Sequence, residues 1–163
     1  MFSIEVVTLA RLLIDEARER NLRIVTAESC TGGLVAGAIC SIAGASDVFE
    51  RGFVAYTNRA KQELLGVPGD LIADLGAVSE PVARMMAEGA LENSNAHLSV
   101  AVTGIAGPGG GTPMKPVGTV HIATARSNQA LMHKGELFEG ETREDIQLAA
   151  VAAALQALRD RLT

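Results

Sequence analysis

With no tryptophan, a single tyrosine (Tyr56) and four phenylalanines, the 163-residue sequence offers few planar side chains on which a nucleobase could stack. It is also short of lysine. Eleven arginines accompany only Lys61, Lys115 and Lys134, and no segment gathers the basic residues into a stripe. Fourteen basic against 19 acidic residues leave a formal net charge of -5, which argues against nucleic-acid binding and leaves a small polar ligand as the open partner. Two cysteines, Cys30 and Cys40, are too few and too irregularly spaced for a disulfide framework or a zinc site, and they fit a reducing cytoplasm. The longest apolar stretch, residues 32–45, is Gly- and Ala-rich and falls short of the roughly 20 residues that span a bilayer, so no membrane span is expected. An acid, Glu5, stands where a signal peptide needs positive charge, so export by that route is not expected either.

What is present is a core. Hydrophobic residues make up 48% of the chain and charged residues 20%, the balance of one globular domain over residues 1–163. A chain of this length buries about 70% of its unfolded surface and needs no metal or disulfide to stay folded. Residues 4–20 place Val6, Leu9, Ala10, Leu13 and Ala17 at spacings of three and four, an amphipathic helix that Asn21 closes. Residues 23–27 are a β-branched run, and residues 28–33 break it before an Ala/Ile-rich helix to about residue 42. A second strand is expected over residues 52–56, with Asn58 capping the helix that carries Lys61 one turn in. A third helix follows Ser79, with Pro81 near its start, and runs to about Asn93. Residues 97–103 and 117–124 read as strands flanking a Gly- and Pro-rich loop, a lid or site wall. Residues 131–138 read as a last strand, and 142–162 as a closing helix.

This alternation predicts a three-layer α/β/α sandwich on a mixed, mostly parallel sheet of about five strands. The strand over residues 117–124 is expected to run antiparallel, because no helix separates it from its predecessor. Ligands in such sheets collect beyond the carboxyl ends of the strands, where residues 29–33, 56–61 and 103–111 should gather.

Ser29 sits at the strand-to-helix turn, where it is either a helix cap, as Thr31 could be, or a nucleophile facing outward-pointing amides. A serine nucleophile needs a base. His97, His121 and His133 lie inside strand-like segments and are poor candidates, whereas a lysine serves if burial lowers its pKa from about 10.4. Lys61 is the natural choice: Lys115 lies in the flexible loop, Lys134 on a probable edge strand, and Tyr56 near Lys61 offers a hydroxyl to orient a proton. Cys30 is a rival nucleophile. The run from Thr103 through Gly111 lacks the Gly-Lys-Ser/Thr of a P-loop and the spacing of a dinucleotide fingerprint, though its amides could cradle a phosphate or ribose. Arg143 is a second candidate for an anion, and Glu28 either orients a site group or favours a helix dipole. No ligand cluster for a metal is apparent.

Five ordered motifs, TAESCTGG from Thr26, GFVAYTN from Gly52 followed by Lys61, GAVSEP from Gly76, TGIAGP from Thr103 and KPVGTV from Lys115, closely resemble the CinA C-terminal domain family. Its enzymatic members are PncC-type nicotinamide mononucleotide amidases. The resemblance implies hydrolysis of the NMN carboxamide to nicotinate mononucleotide and ammonia, with Ser29 as nucleophile, Lys61 as general base and Tyr56 lining the site. It also implies an oxyanion held by the amides of Cys30, Thr31, Gly32 and Gly33, no cofactor, and an assembly that is a homodimer or higher homo-oligomer. Thr103, Gly104, Ala106, Gly107 and Arg143 would hold the ribose-phosphate part. Where the family often carries a further basic residue, this sequence has Ile146-Gln147. The larger N-terminal domain of many relatives does not precede these motifs, so no pyrophosphatase activity is expected. The alternative is a non-catalytic nucleotide-binding or interaction module linked to competence or DNA damage.

Overall fold

In the computed structural model, which describes residues 1–163, every second residue of the central strands faces a different kind of neighbour. The elements in chain order are α1 (Ile4–Glu19), β1 (Ile24–Glu28), α2 (Leu34–Cys40), β2 (Phe49–Val54), α3 (Asn58–Leu65), α4 (Gly69–Leu75), α5 (Glu80–Glu92), β3 (Leu98–Gly104), β4 (Thr119–Arg126), β5 (Met132–Leu137) and α6 (Arg143–Asp160). The sheet order is β2-β1-β3-β4-β5. β1 pairs with β2 and β3 in parallel, and β4 pairs with β3 and β5 antiparallel, so β4 alone runs against the other four. The result is the expected α/β/α sandwich with a mixed sheet.

Side chains alternate across a strand, and here the alternation separates size. Ile24, Leu98, Val100, Val102, Val120 and Ile122 enter one core with α1, α2 and α6. Ala27, Ala101, Ala123 and Ala125 enter the other, against Val82, Ala83, Met86, Ala87 and Ala90 of α5. Each fully buried large aliphatic stabilises by about 1.5–3 kcal/mol, so the first face supplies most of the apolar driving force. The small-residue face instead allows close approach. Gly89 of α5 lies so near the end of α3 that a Cβ there would stand 1.9 Å from the Leu65 carbonyl oxygen. Ser99, on the same face, donates to the Ala87 carbonyl at 2.7 Å. No helix is long and apolar enough to cross a membrane.

Several boundaries differ from expectation for local reasons. β2 occupies Phe49–Val54 rather than residues 52–56; it is an edge strand whose alternation is weak, and its register shifts between Ile24 and Val25 of β1. Thr57, not Asn58, caps α3, its hydroxyl accepting from the Ala60 N–H at 3.0 Å. Ser79 precedes α5, yet its hydroxyl donates back to the Gly76 carbonyl at 2.9 Å instead of capping. α2 ends at Cys40, about two residues early. α4 had no recognisable start signal, since its first residue is Gly69 and its N-cap is Pro68, which offers no side-chain hydrogen bond. β4 starts at Thr119 rather than at residue 117 because Gly118 adopts φ +97 against β5's exit, where a Cβ would come within 2.0 Å of the Phe138 carbonyl oxygen.

Candidate active site

Beyond the carboxyl ends of β1, β2 and β3 lies a cavity of about 260 Å³. Ser29, Cys30, Tyr56, Lys61, Thr103 and Arg143 line it, together with Gly104 to Gly107 of the loop after β3. The three segments that the sequence placed at the strand ends therefore surround one space.

Ser29 leaves the sheet at the last moment, its N–H still donating to the Val102 carbonyl at 2.9 Å. The chain then turns through Gly32 (φ +56) and Gly33 (φ +102), both in the left-handed region that favours glycine. Gly33 is the N-cap of α2 and has no side chain to satisfy the helix's first amides. Glu28 does that instead. Its buried carboxylate accepts from the Val35 N–H at 2.8 Å and the Ala36 N–H at 3.1 Å. A cap of this kind is worth about 1 kcal/mol, and it closes the turn that carries Ser29.

Lys61 reaches the same point from α3. Its Nζ lies 2.9 Å from Ser29 Oγ and 3.0 Å from the Tyr56 carbonyl oxygen, and Ser29 Oγ can also donate to that oxygen at 3.3 Å. Lys61 is only 1% exposed. Burial pushes its pKa below the ordinary lysine value. Nζ is placed to donate to both oxygens; once deprotonated it would keep one N–H on the Tyr56 carbonyl and offer its lone pair to the Ser29 hydroxyl proton. Cys30 is pushed the other way, its thiol pKa raised to about 11 chiefly by burial, which favours the un-ionised thiol near neutral pH and weighs against it as the rival nucleophile.

Other expectations change. The hydroxyl of Tyr56 does not meet the Ser29–Lys61 pair; it accepts from Arg143 Nη2 at 2.8 Å, and only the Tyr56 backbone carbonyl touches the pair. Arg143 also donates to the Gly107 carbonyl at 2.7 Å, so its guanidinium ties α6 to both rims of the cavity. Gly32 cannot serve as an oxyanion donor as folded, because its N–H already donates to the Ser29 carbonyl at 3.0 Å. Of residues 30–33 only Cys30 is part of the lining, so the peptide from Cys30 to Thr31 is the unit of that turn nearest the cavity, and Gly33 lies farther along the chain. The amides of Cys30, Thr31 and Gly33 have no carbonyl partner. Thr103 is buried and donates its hydroxyl proton to the Ala77 carbonyl at 2.9 Å, fastening one wall. Lys115, in the glycine-rich loop, donates its Nζ to the Leu75 carbonyl at 2.7 Å, a contact between that loop and the end of α4.

The histidines stand outside the cavity. His97 Nδ1 accepts the Arg23 N–H at 2.8 Å, while His121 Nδ1 and His133 Nε2 are 2.8 Å apart, the latter ring facing Glu80. No group of three or more His, Cys, Asp or Glu is arranged to hold a metal ion. Gln147 was not foreseen as a site contact. Its Nε2 donates to the Cys30 carbonyl at 3.0 Å across 117 residues of sequence, and no short-range motif could have announced it.

A family model for the CinA C-terminal domain matches residues 6–162. The chain belongs to the CinA C-terminal domain family. Among CinA relatives, a CinA-like protein of Akkermansia muciniphila is 52% identical over 141 residues, covering 86% of this chain and 31% of its own length. Another, of Syntrophobacter fumaroxidans, is 47% identical over 155 residues, 95% of this chain and 36% of its own. This chain thus spans about a third of those relatives. Among solved CinA structures, the competence/damage inducible protein CihA of Agrobacterium tumefaciens superposes with a TM-score of 0.96 at 48% identity, covering 98% of this chain and 97% of that one. A CinA superfamily protein of Escherichia coli gives 0.91 at 35% identity, with 100% and 94% covered.

Proposed function

We propose that this CinA-family chain is an amidase that hydrolyses the carboxamide of nicotinamide mononucleotide to nicotinate mononucleotide and ammonia. The observation that carries the reading is the buried Lys61 amine, without a carboxylate partner and with its pKa lowered, 2.9 Å from the Ser29 hydroxyl. A lysine buried without an acidic partner is costly to keep charged, and the base that results on losing its proton has a direct chemical use beside a serine.

In this reading Ser29 Oγ attacks the carboxamide carbon as its proton passes to Lys61 Nζ, and the tetrahedral oxyanion is met by the amides of Cys30 and Thr31. Lys61 then gives the proton to the departing nitrogen, which leaves as ammonia, and Ser29 carries the nicotinoyl ester. Water attacks that ester, passing a proton to Lys61, and collapse returns the proton to Ser29 Oγ. The Tyr56 carbonyl holds the amine on line throughout. Arg143, whose acceptors are the Tyr56 hydroxyl and the Gly107 carbonyl rather than a carboxylate, would meet the nucleotide phosphate at the rim.

Incubation with NMN tests this, with ammonia and nicotinate mononucleotide measured as products. Wild-type protein should turn over, and Ser29→Ala should lose about 10³-fold or more of kcat. Undiminished turnover in Ser29→Ala would remove the nucleophile. Folded wild-type protein that binds NMN without releasing ammonia would instead support the non-catalytic nucleotide-binding module.

A further inference from the structure

Gln147 lies one helical turn beyond Arg143 on α6, and its side chain is not needed to seat that helix. The packing of α6 is supplied by Ile146, Ala150, Val151 and Ala154, all buried. Yet the Gln147 amide reaches across to the Cys30 carbonyl at 3.0 Å. That carbonyl belongs to the peptide joining Cys30 to Thr31, which is trans, since the only cis bond lies at Gly107-Pro108. In a trans peptide the C=O and the N–H point in opposite directions. A donor that holds the carbonyl toward α6 therefore aims the Thr31 N–H away from it.

The rest of the turn is fixed by other means. Glu28 binds the amides at the start of α2, and the Gly32 N–H is spent on the Ser29 carbonyl. Within residues 30–33, the Cys30–Thr31 peptide is the unit held by a side chain from another element. We infer that Gln147 is a positioning residue which sets the orientation of the Cys30–Thr31 peptide, the group that binds negative charge developing when Ser29 attacks. The inference rests on Ser29 as the proposed nucleophile, but not on which amide is the substrate.

The test uses a fluorophosphonate on the full chain. Ser29 Oγ attacks phosphorus, the P–F bond breaks as the O–P bond forms, fluoride leaves, and the serine proton passes to Lys61. Charge builds on the phosphoryl oxygen as it would on a carbonyl oxygen, and no nucleotide is required. Gln147→Met keeps the volume and removes the donor, Gln147→Glu sets an acceptor against the carbonyl, and Gln147→Lys restores a donor. The Met variant should label Ser29 about tenfold more slowly than wild type and the Glu variant more slowly still. Lys should recover to within about threefold, with thermal midpoints of all three close to wild type. Labelling of the Met and Glu variants at the wild-type rate would overturn the inference. So would a loss that merely follows a fall in thermal midpoint, or a Lys variant as slow as Met. Wild-type protein that labels at Ser29 but leaves NMN intact overturns the substrate reading alone, whereas absence of labelling at Ser29 overturns both.

Discussion

Gly89→Ala separates intrinsic helix propensity from the packing described above. Gly89 sits inside α5, where an alanine would normally favour the helix by about 1 kcal/mol. Here its Cβ would fall 1.9 Å from the Leu65 carbonyl oxygen and 2.7 Å from the carbonyl carbon. A carbon and a carbonyl oxygen settle at about 3.3 Å or more, so the last turn of α3 must retreat by roughly 1.4 Å. Lys61 is one turn upstream on that helix and moves with it. Its 2.9 Å contact with Ser29 Oγ then lengthens to about 4 Å, outside hydrogen-bond range. Overpacking costs about 1–3 kcal/mol, a fall of roughly 2–12 °C in Tm for a chain of this size. Misplacing a reacting group by about 1 Å costs about 10²-fold in turnover. Calorimetry and an ammonia-release assay on the same preparation measure both. A Gly89→Ala protein that melts at or above wild type with full turnover would refute the claim that α5 sets the position of the lysine.

Two further substitutions probe the site. Tyr56→Phe removes the hydroxyl on Arg143 but keeps the carbonyl that touches Lys61 and Ser29, so KM should rise several-fold while kcat stays within about threefold; a collapse of kcat would return the hydroxyl to the chemistry. Lys61→Met should abolish turnover yet leave the fold at least as stable as wild type at neutral pH. Because the folded pKa of Lys61 lies below its unfolded value of about 10.4, the unfolded chain binds the extra proton between the two, and this group's contribution to stability improves as pH rises through that window. The Tm advantage of Lys61→Met should accordingly be greatest below the folded pKa and shrink toward pH 10. The same ionisation sets the acid limb of kcat/KM in wild type, which must rise with pH. An advantage that grows with pH would contradict the assigned protonation.

Much of the arrangement could be read from the sequence because its signals are local. The β-branched run before Glu28, the paired glycines after Thr31 and the position of Lys61 one turn into its helix define strand, turn and candidate base within a few residues each. The contacts that were missed are those whose partners are far apart. Arg143 meets Tyr56 across 87 positions and Gln147 meets Cys30 across 117, so neither periodicity nor spacing can register them. Glu28 illustrates a different limit. Its nearness to a helix start was visible, but that both its oxygens are consumed by α2 amides follows only from the path of the turn between them. The identity of the Tyr56 atom that matters was equally hidden, since a sequence names a side chain and the pair uses the carbonyl.

The filling of both nearby helix starts by the chain's own acids bears on how a charged guest is held. Glu28 occupies first-turn amides of α2, and Asp145, in the first turn of α6, sets its carboxylate at that helix's positive end while accepting the Glu141 and Thr142 N–H groups just ahead of it, each at 2.9 Å. The partial positive ends that commonly cradle phosphates are neutralised before any solute arrives. Attraction for an anion falls to a single guanidinium at the solvent-facing rim, where dissolved ions screen it strongly. The sealed amine beneath is shielded from them, so in the proposed reaction added salt should weaken capture of the guest and leave the bond-breaking steps untouched.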